Sequence, residues 1–264
     1  MTRVIGNIKI GRDVTIEDGA IIEADNGYIG DRSIIRSGAK IQGRLIELGK
    51  ESYLDHGTLI GGGSCECGSL RTGDWFHMGM NSQINIARDV EIGEEVGIGI
   101  ETKIFTHGAY LPVDFGFPAQ WDNVRIGNRV WLPNAWVNPG VTIGNNVIVG
   151  ARSLVNKDIP SNSFAAGIPA EVKKEIEPRN KWWFIEIGKQ IKKYASENIV
   201  FEHRGTDGWV IEYILNKTIF YIDKRIIIGI ADRITEKIKN QLRRNGIRFK
   251  YINIDGEYRP WPEY

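Results

Sequence analysis

Four histidines, His56, His77, His107 and His203, have the widest range of chemistry among this chain's 264 residues. An imidazole titrates near neutrality, so it serves as a general base or as a zinc ligand. Zinc needs several ligands converging from short spacings. The histidine gaps are 21, 30 and 96 residues, with no H-x-x-x-x-H, and no metal is expected. Two cysteines in Cys65-Glu66-Cys67 build no disulfide framework, and C-x-C alone is not a metal site. Proton transfer remains. His107 ends the segment Ile104-Phe105-Thr106-His107 and heads a stretch, residues 108–123, with Tyr110, Asp114, Phe115, Phe117 and Trp121 among few charges.

The elements that must position this histidine are repetitive. Residues 1–170 hold 25 of the 31 glycines. Aliphatic residues recur at six-residue steps: Ile10, Ile16, Ile22; Ile29, Ile35, Ile41; Leu48, Leu54, Ile60; Leu70, Phe76; Ile92, Ile98, Ile104. A last series runs Ile126, Leu132, Val137, Ile143, Val149, Val155, with one five-residue step. Period six suits neither an amphipathic helix nor an alternating strand. It suits a triangular coil of three short strands and three tight turns, about 18 residues per coil, with one aliphatic per face pointing inward. The pattern breaks at residues 61–69, 84–89 and 108–123. Solenoids place such insertions on one face, often a binding face, which makes Tyr110, Asp114 and Trp121 candidates for substrate contact. A cap over the coil is the alternative use of that stretch.

Residues 96–174 are more specific. After His107 and the aromatic stretch comes IGNRVWLPNAWVNPGVTIGNNVIVGARSLVNKDIPSNSFAAGIPAEV. Together with the repeat, this resembles the hexapeptide-repeat acyltransferases, in the branch containing maltose, galactoside and xenobiotic acetyltransferases. The resemblance implies a left-handed parallel β-helix over residues 1–170, against the usual right-handed preference of crossovers. It also implies a homotrimer with sites between neighbouring subunits, and acyl-CoA or acetyl-CoA as co-substrate. His107 matches the family's general base, Asn81 an asparagine that contacts substrate, and Trp131 a packing tryptophan. Gly150, Ala151, Arg152, Ala166 and Gly167 match the late coils along which CoA lies, where small residues let a pantetheine arm approach the backbone. Glu171 stands where the family often has lysine, so Lys173, Lys174 or Arg152 would hold the phosphates. The implied mechanism is direct transfer: the acceptor attacks the thioester, His107 takes its proton, and backbone N–H groups stabilise the oxyanion.

From residue 171 the composition changes. Residues 1–170 carry 15 basic and 19 acidic groups, residues 171–264 carry 19 and 14. Residues 180–196 have apolar side chains at helical spacing, including Trp183, Ile187, Ile191 and Tyr194. Strands are expected at residues 200–203, 209–215, 218–223 and 226–230, with a turn at 205–208. A helix at 231–244 is stopped by Asn245-Gly246, and a strand follows near 248–254. This is a small α+β domain, residues 171–264, that either covers the open end of the coil or binds part of the substrate.

A net charge of +1 gives no reason to expect a nucleic-acid or membrane partner. The start of the chain has no apolar run of signal-peptide type. The uncharged run 130–151 contains four Asn, two Pro and three Gly, which a bilayer core would not tolerate. A cytoplasmic location is expected. The aromatic insert and the added domain resemble enzymes that N-acylate nucleotide-linked amino-deoxysugars, which makes that the expected acceptor. A hydroxyl on a simple sugar or xenobiotic is the alternative, and a non-catalytic β-helix scaffold is the reading of a different class.

Overall fold

Short parallel strands account for the six-residue repeat. The computed structural model describes residues 2–62, 68–177, 181–195 and 198–261. Cys65 and Cys67, the outermost residues of the first expected helix (Asn180 and Ser196) and the side chains of Trp183 and Tyr194 lie outside the described residues. The chain divides into two compact units, Met1–Glu177 and Pro178–Tyr264.

The first unit is a parallel β-helix with three faces. One face stacks Thr15–Ile16, Ile34–Ile35, Tyr53–Leu54, His77–Met78, Gly97–Ile98, Val130–Leu132, Val147–Val149 and Ser163–Ala166 in chain order. A second runs from Leu59–Gly61 through Gln83–Asn85, Lys103–Ile104 and Trp136–Val137 to Leu154–Val155. A third runs through Ser69–Thr72, Val90–Ile92, Val124–Ile126 and Thr142–Ile143. The second and third faces meet in the nine-residue strand Lys40–Leu48, whose two halves pair with Leu59–Gly61 and Ser69–Thr72.

The register corrects the coil length. Thr15 lies opposite Ile34 and Ile34 opposite Tyr53, so the early coils take nineteen residues rather than eighteen. The extra residue sits where two faces run on as one long strand and need no sharp corner. Inward positions follow the repeat: Ile22, Ile35, Leu54, Ile98 and Leu132 are among those fully buried. Ile10 and Ile16 depart from it, Ile10 being 44% exposed and Ile16 half-buried, because no coil covers them on the outer side. Residues 84–89 also depart: they form no excursion, and Ile84, Ile86 and Ala87 are buried in the wall.

Coils are held to one another by polar caps at one corner. The Arg12 N–H donates to Asp31 Oδ1 (2.9 Å), Lys50 N–H to Asp74 Oδ1 (2.8 Å), Glu94 N–H to Asn128 Oδ1 (2.8 Å) and Asn145 N–H to Ser161 Oγ (2.9 Å). Each acceptor comes from the following coil and satisfies a corner N–H that no strand ladder reaches. At another corner Gly38, Gly57, Asn81, Glu101, Asn134 and Arg152 all adopt positive φ, the conformation that lets a tight turn close on every coil. The strand Glu171–Glu175 folds back antiparallel on Ser163–Ala166, so the expected change of domain at residue 171 falls later, after Glu177.

The second unit is a six-stranded antiparallel sheet in the order Ile199–His203, Trp209–Tyr213, Thr218–Tyr221, Ile226–Ile230, Glu257–Pro260, Tyr251–Ile254. Helices Lys181–Ala195 and Arg233–Arg244 share its core through Ile187, Ile191, Ile238 and Leu242. The second helix starts at a capping box: Asp232 Oδ1 accepts from the Ile234 and Thr235 N–H groups, and Thr235 Oγ1 accepts from Asp232 N–H. The closing hairpin turns on Asp255-Gly256, both at positive φ. Only its first strand was anticipated; the D-G dipeptide was the available signal for the second.

Candidate active site

His107 leaves the wall of the coil directly after the strand Lys103–Ile104. Phe105 N–H still donates to Val137 O (2.9 Å), so the chain is fixed to the next coil until two residues before the imidazole. The insertion then departs and returns as an antiparallel pair, His107–Gly108 against Gln120–Trp121. Gln120 Nε2 donates to Pro139 O (3.0 Å), and Asp122 N–H to Thr106 O (3.0 Å). The base of the insertion is thereby clamped, and its tip projects into solvent.

Asn85, on the preceding coil, organises the imidazole. Its Oδ1 lies 2.9 Å from His107 Nδ1 and also accepts from Thr106 Oγ1 (2.8 Å) and Ala87 N–H (3.3 Å). Its Nδ2 donates to Gly62 O (3.2 Å), which fixes which end of the amide faces His107. Facing an acceptor oxygen, Nδ1 must be the protonated nitrogen, and Nε2 keeps a free lone pair. Asn85 is 4% and Thr106 0% exposed, so this network is shielded from water while the half-buried imidazole stays accessible. The Trp121 ring stacks on His107 with centroids 4.7 Å apart and planes 18° apart. The Arg88 guanidinium lies 5.4 Å from the centre of the Trp121 ring.

The anticipated substrate contacts divide. Trp121 meets His107. Tyr110 is 98% exposed, and Asp114 sits exposed in the 3-10 turn Val113–Phe115 at the loop tip; the structure pairs neither with the imidazole. Asn81 is a corner residue with φ 57°, its N–H donating to His56 O (3.0 Å). A Cβ on Gly57 would come within 2.5 Å of Asn81 Oδ1, so the coil above has been kept bare for that turn. Asn85, four residues further on, is the asparagine that the structure places beside His107. Its signal was the irregularity of residues 84–89, which coil stacking alone resolves into a contact.

The residues anticipated for CoA lie together on the last coils. Gly150 N–H donates to Ala165 O (2.7 Å), and a Cβ on Gly150 would meet the Ala166 Cβ at 2.8 Å. Gly167 N–H donates to Ser153 Oγ (3.0 Å), and Gly167 O accepts from Leu154 N–H (3.0 Å). Ala151 and Arg152 form the neighbouring exposed corner, with Arg152 at φ 60°. Between Trp136, Asn134, Arg152, Leu154 and Ile168 runs an open groove of about 420 Å³. It lies on the face that carries the His107 strand, and Phe105 meets Trp136 edge-on at 5.7 Å. Lys173 is tied to Glu171 (2.9 Å), a hydrogen bond that holds the Glu171 carboxyl below its usual range. Lys174 lies over the Phe164 ring at 5.7 Å. The Arg152 guanidinium has no carboxylate partner among the described residues and is the cation nearest the groove. Also among the described residues, no three His, Cys, Asp or Glu side chains are grouped to hold a metal ion, and no helix is long and apolar enough to cross a membrane.

No family model matches the chain. Galactoside O-acetyltransferase of Escherichia coli K12 is 48% identical over 126 residues, covering 45% of this chain and 60% of that protein. A putative lipopolysaccharide biosynthesis O-acetyltransferase of the same organism is 33% identical over 126 residues, covering 44% and 62%. A hexapeptide-repeat acetyltransferase of Vibrio cholerae O1 biovar eltor, solved with acetyl coenzyme A, is 26% identical over 53% of this chain and 72% of that one, with a TM-score of 0.44. The chain thus spans about 60% of the length of the curated relatives it matches. Over those 126 residues the chain is similar to the galactoside O-acetyltransferase at nearly half of the aligned positions, and its own six-residue repeat winds into stacked parallel coils.

Proposed function

We propose that the chain transfers an acyl group from acyl-CoA to a sugar, with His107 as general base. One observation carries this reading: His107 Nδ1 faces Asn85 Oδ1 at 2.9 Å, which leaves Nε2 as a ready proton acceptor at the mouth of the insertion. Asn85 and Thr106 orient the ring from the protein side, and Trp121 covers one of its faces, so that the acceptor proton has one nitrogen to go to. Acyl-CoA supplies an activated thioester. Small residues at Gly150, Ala166 and Gly167 admit its arm along the late coils, and Arg152 and Lys174 are the cations offered to its phosphates.

The amino group of a nucleotide-linked amino-deoxysugar is the finer reading. A sugar hydroxyl is the second, favoured by the 48% identity to a galactoside O-acetyltransferase. Thiol release from acetyl-CoA, measured across paired amino and hydroxyl sugars, decides between them; no release with any acceptor, together with no CoA binding by calorimetry, would leave a scaffold. We further propose a cytoplasmic homotrimer. The outward-facing Trp131, Trp136 and Ile148, each at least 41% exposed, are suited to burial between copies. A monomer mass by light scattering at micromolar concentration would rule the trimer out.

A further inference from the structure

Arg88 stands beside the candidate active site and takes no part in the proton transfer proposed above. Its backbone N–H donates to Thr106 Oγ1 (3.0 Å), the hydroxyl that also bonds Asn85 Oδ1, so its main chain is held by the network that orients His107. Its guanidinium lies near the Trp121 ring, which itself stacks on His107. Of the guanidinium nitrogens, Nη1 donates to Ala87 O (3.1 Å). The side chain is exposed and has no carboxylate partner among the described residues.

Arg88 lines one end of an open groove of about 750 Å³ that runs along the coil toward Arg3. The two other arginines in this groove are each matched by an acid, Arg3 by Glu23 at 3.5 Å and Arg44 by Asp89 at 3.7 Å. Arg88 alone of the three presents an unmatched cation, and it does so where the groove meets the His107–Trp121 stack. A planar guanidinium with donors to spare binds a carboxylate or phosphate through two parallel hydrogen bonds.

We propose that Arg88 binds an anionic group of the acceptor, so that the preferred substrate is an acidic sugar whose carboxylate or phosphate sits in this groove while its nucleophile reaches His107. This rests on the acyltransferase reading of the same site. The test is a calorimetric titration of the full chain with glucose, glucuronate and glucose 1-phosphate, in the unaltered protein and in Arg88→Ala and Arg88→Lys. At least one of the two anions should bind tighter than glucose by about 10-fold or more, and this preference should fall as salt is raised. Glucuronate ahead of glucose 1-phosphate identifies a carboxylate as the group read, and the reverse order a phosphate. Arg88→Ala should weaken that anion by about 10–100-fold with glucose and CoA binding unchanged, and Arg88→Lys should recover part of the loss. No preference for either anion over glucose in the unaltered protein, or equal losses for anion and glucose in Arg88→Ala, would overturn the proposal. Failure of the acyltransferase reading shows separately, as absent thiol release and absent CoA binding, and leaves this titration with its own answer.

Discussion

The coil and the C-terminal unit solve the same problem of backbone hydrogen bonding in opposite ways. In the coil the stacked strands pair in parallel with partners a full coil apart, as Ile35 does with Leu54, and antiparallel neighbours pair at the insertion after His107 and at the closing strand Glu171–Glu175. In the C-terminal unit consecutive strands form hairpins, as where Val210 meets Tyr221. The polar groups differ in the same sense. The coil spends them between coils, as Asp31 does on the N–H and guanidinium of Arg12. The C-terminal unit gathers them at the margin of its own core, where Lys239 bonds Glu236 (2.7 Å) and the Tyr251 hydroxyl (2.9 Å), and the Tyr258 hydroxyl donates to Glu236. In the coil each position repeats the role of the one above it, so the candidate site stands out where the repeat is interrupted, at Asn85, Arg88 and the insertion after His107. In the hairpin sheet the irregular residues build turns and caps, as Asp232 and Asp255-Gly256 do.

Substitutions can break this contrast, the largest effect first. Removing the imidazole in His107→Ala should lower kcat by about 10²–10⁴-fold with CoA affinity retained, since a positioned general base contributes on that order. Steady-state rates alongside CoA calorimetry check this, and an unchanged kcat at every pH would take His107 out of the mechanism. Asn85→Ala should lower kcat by less, because it frees the ring to turn without removing it.

Next come the two cores. Ile98 and Leu242 are both fully buried, and truncating either to Ala should cost about 2–5 kcal/mol. Urea unfolding followed by tryptophan fluorescence would report these losses. A negligible loss for Ile98→Ala would mean that the coil tolerates a void that the packed helix does not, and would end the equivalence of the two cores.

A smaller effect is expected at the helix cap. Asp232→Ala removes the acceptor of two N–H groups and should destabilise the C-terminal unit by about 1 kcal/mol. Asp232→Asn, which keeps an acceptor, should recover most of it.

The smallest effect is titration. At Asp89, hydrogen bonds from the Ser69 hydroxyl and backbone N–H, with Arg44 nearby, outweigh burial and hold the carboxyl below its ordinary value. At Asp31 burial pushes the carboxyl up, but the bonds from Arg12 prevail and the net shift is also downward. A carboxyl depressed in the folded state stabilises it above its unfolded pKa of about 3.9, and that contribution is lost as pH falls through the lower folded value. Thermal unfolding from pH 5 to pH 2 should therefore show a loss of stability that is shallower in Asp89→Asn. Equal slopes would show that Ser69 and Arg44 do not favour the ionised form.

Much of this molecule could be read before its coordinates. The aliphatic series from Ile22 to Val155 marks the inside of the coil, and its exceptions, Ile10 and Ile16, are those that no coil covers. The helix around Ile238 and Leu242 follows from ordinary amphipathic spacing and from the Asn245-Gly246 stop. His107 stands out as a candidate by its place at the head of the insertion together with the family resemblance. Its partners do not: Asn85 comes 22 residues earlier, in a stretch whose repeat is disturbed.

The physical reason is the reach of each signal. Burial in a repeating coil depends on period, and period is a property of the chain read in one dimension. Six-residue steps therefore dictate which side chains face inward, whatever the neighbouring coils contain. Which amide meets the His107 imidazole, and which guanidinium stands by Trp121, depends on how many residues each coil uses to close, and that number changes from nineteen between Ile34 and Tyr53 to twenty between His77 and Gly97. One added residue moves every later side chain along the corner. Asn85, rather than Asn81, reaches the histidine because the stacked coils set that register together.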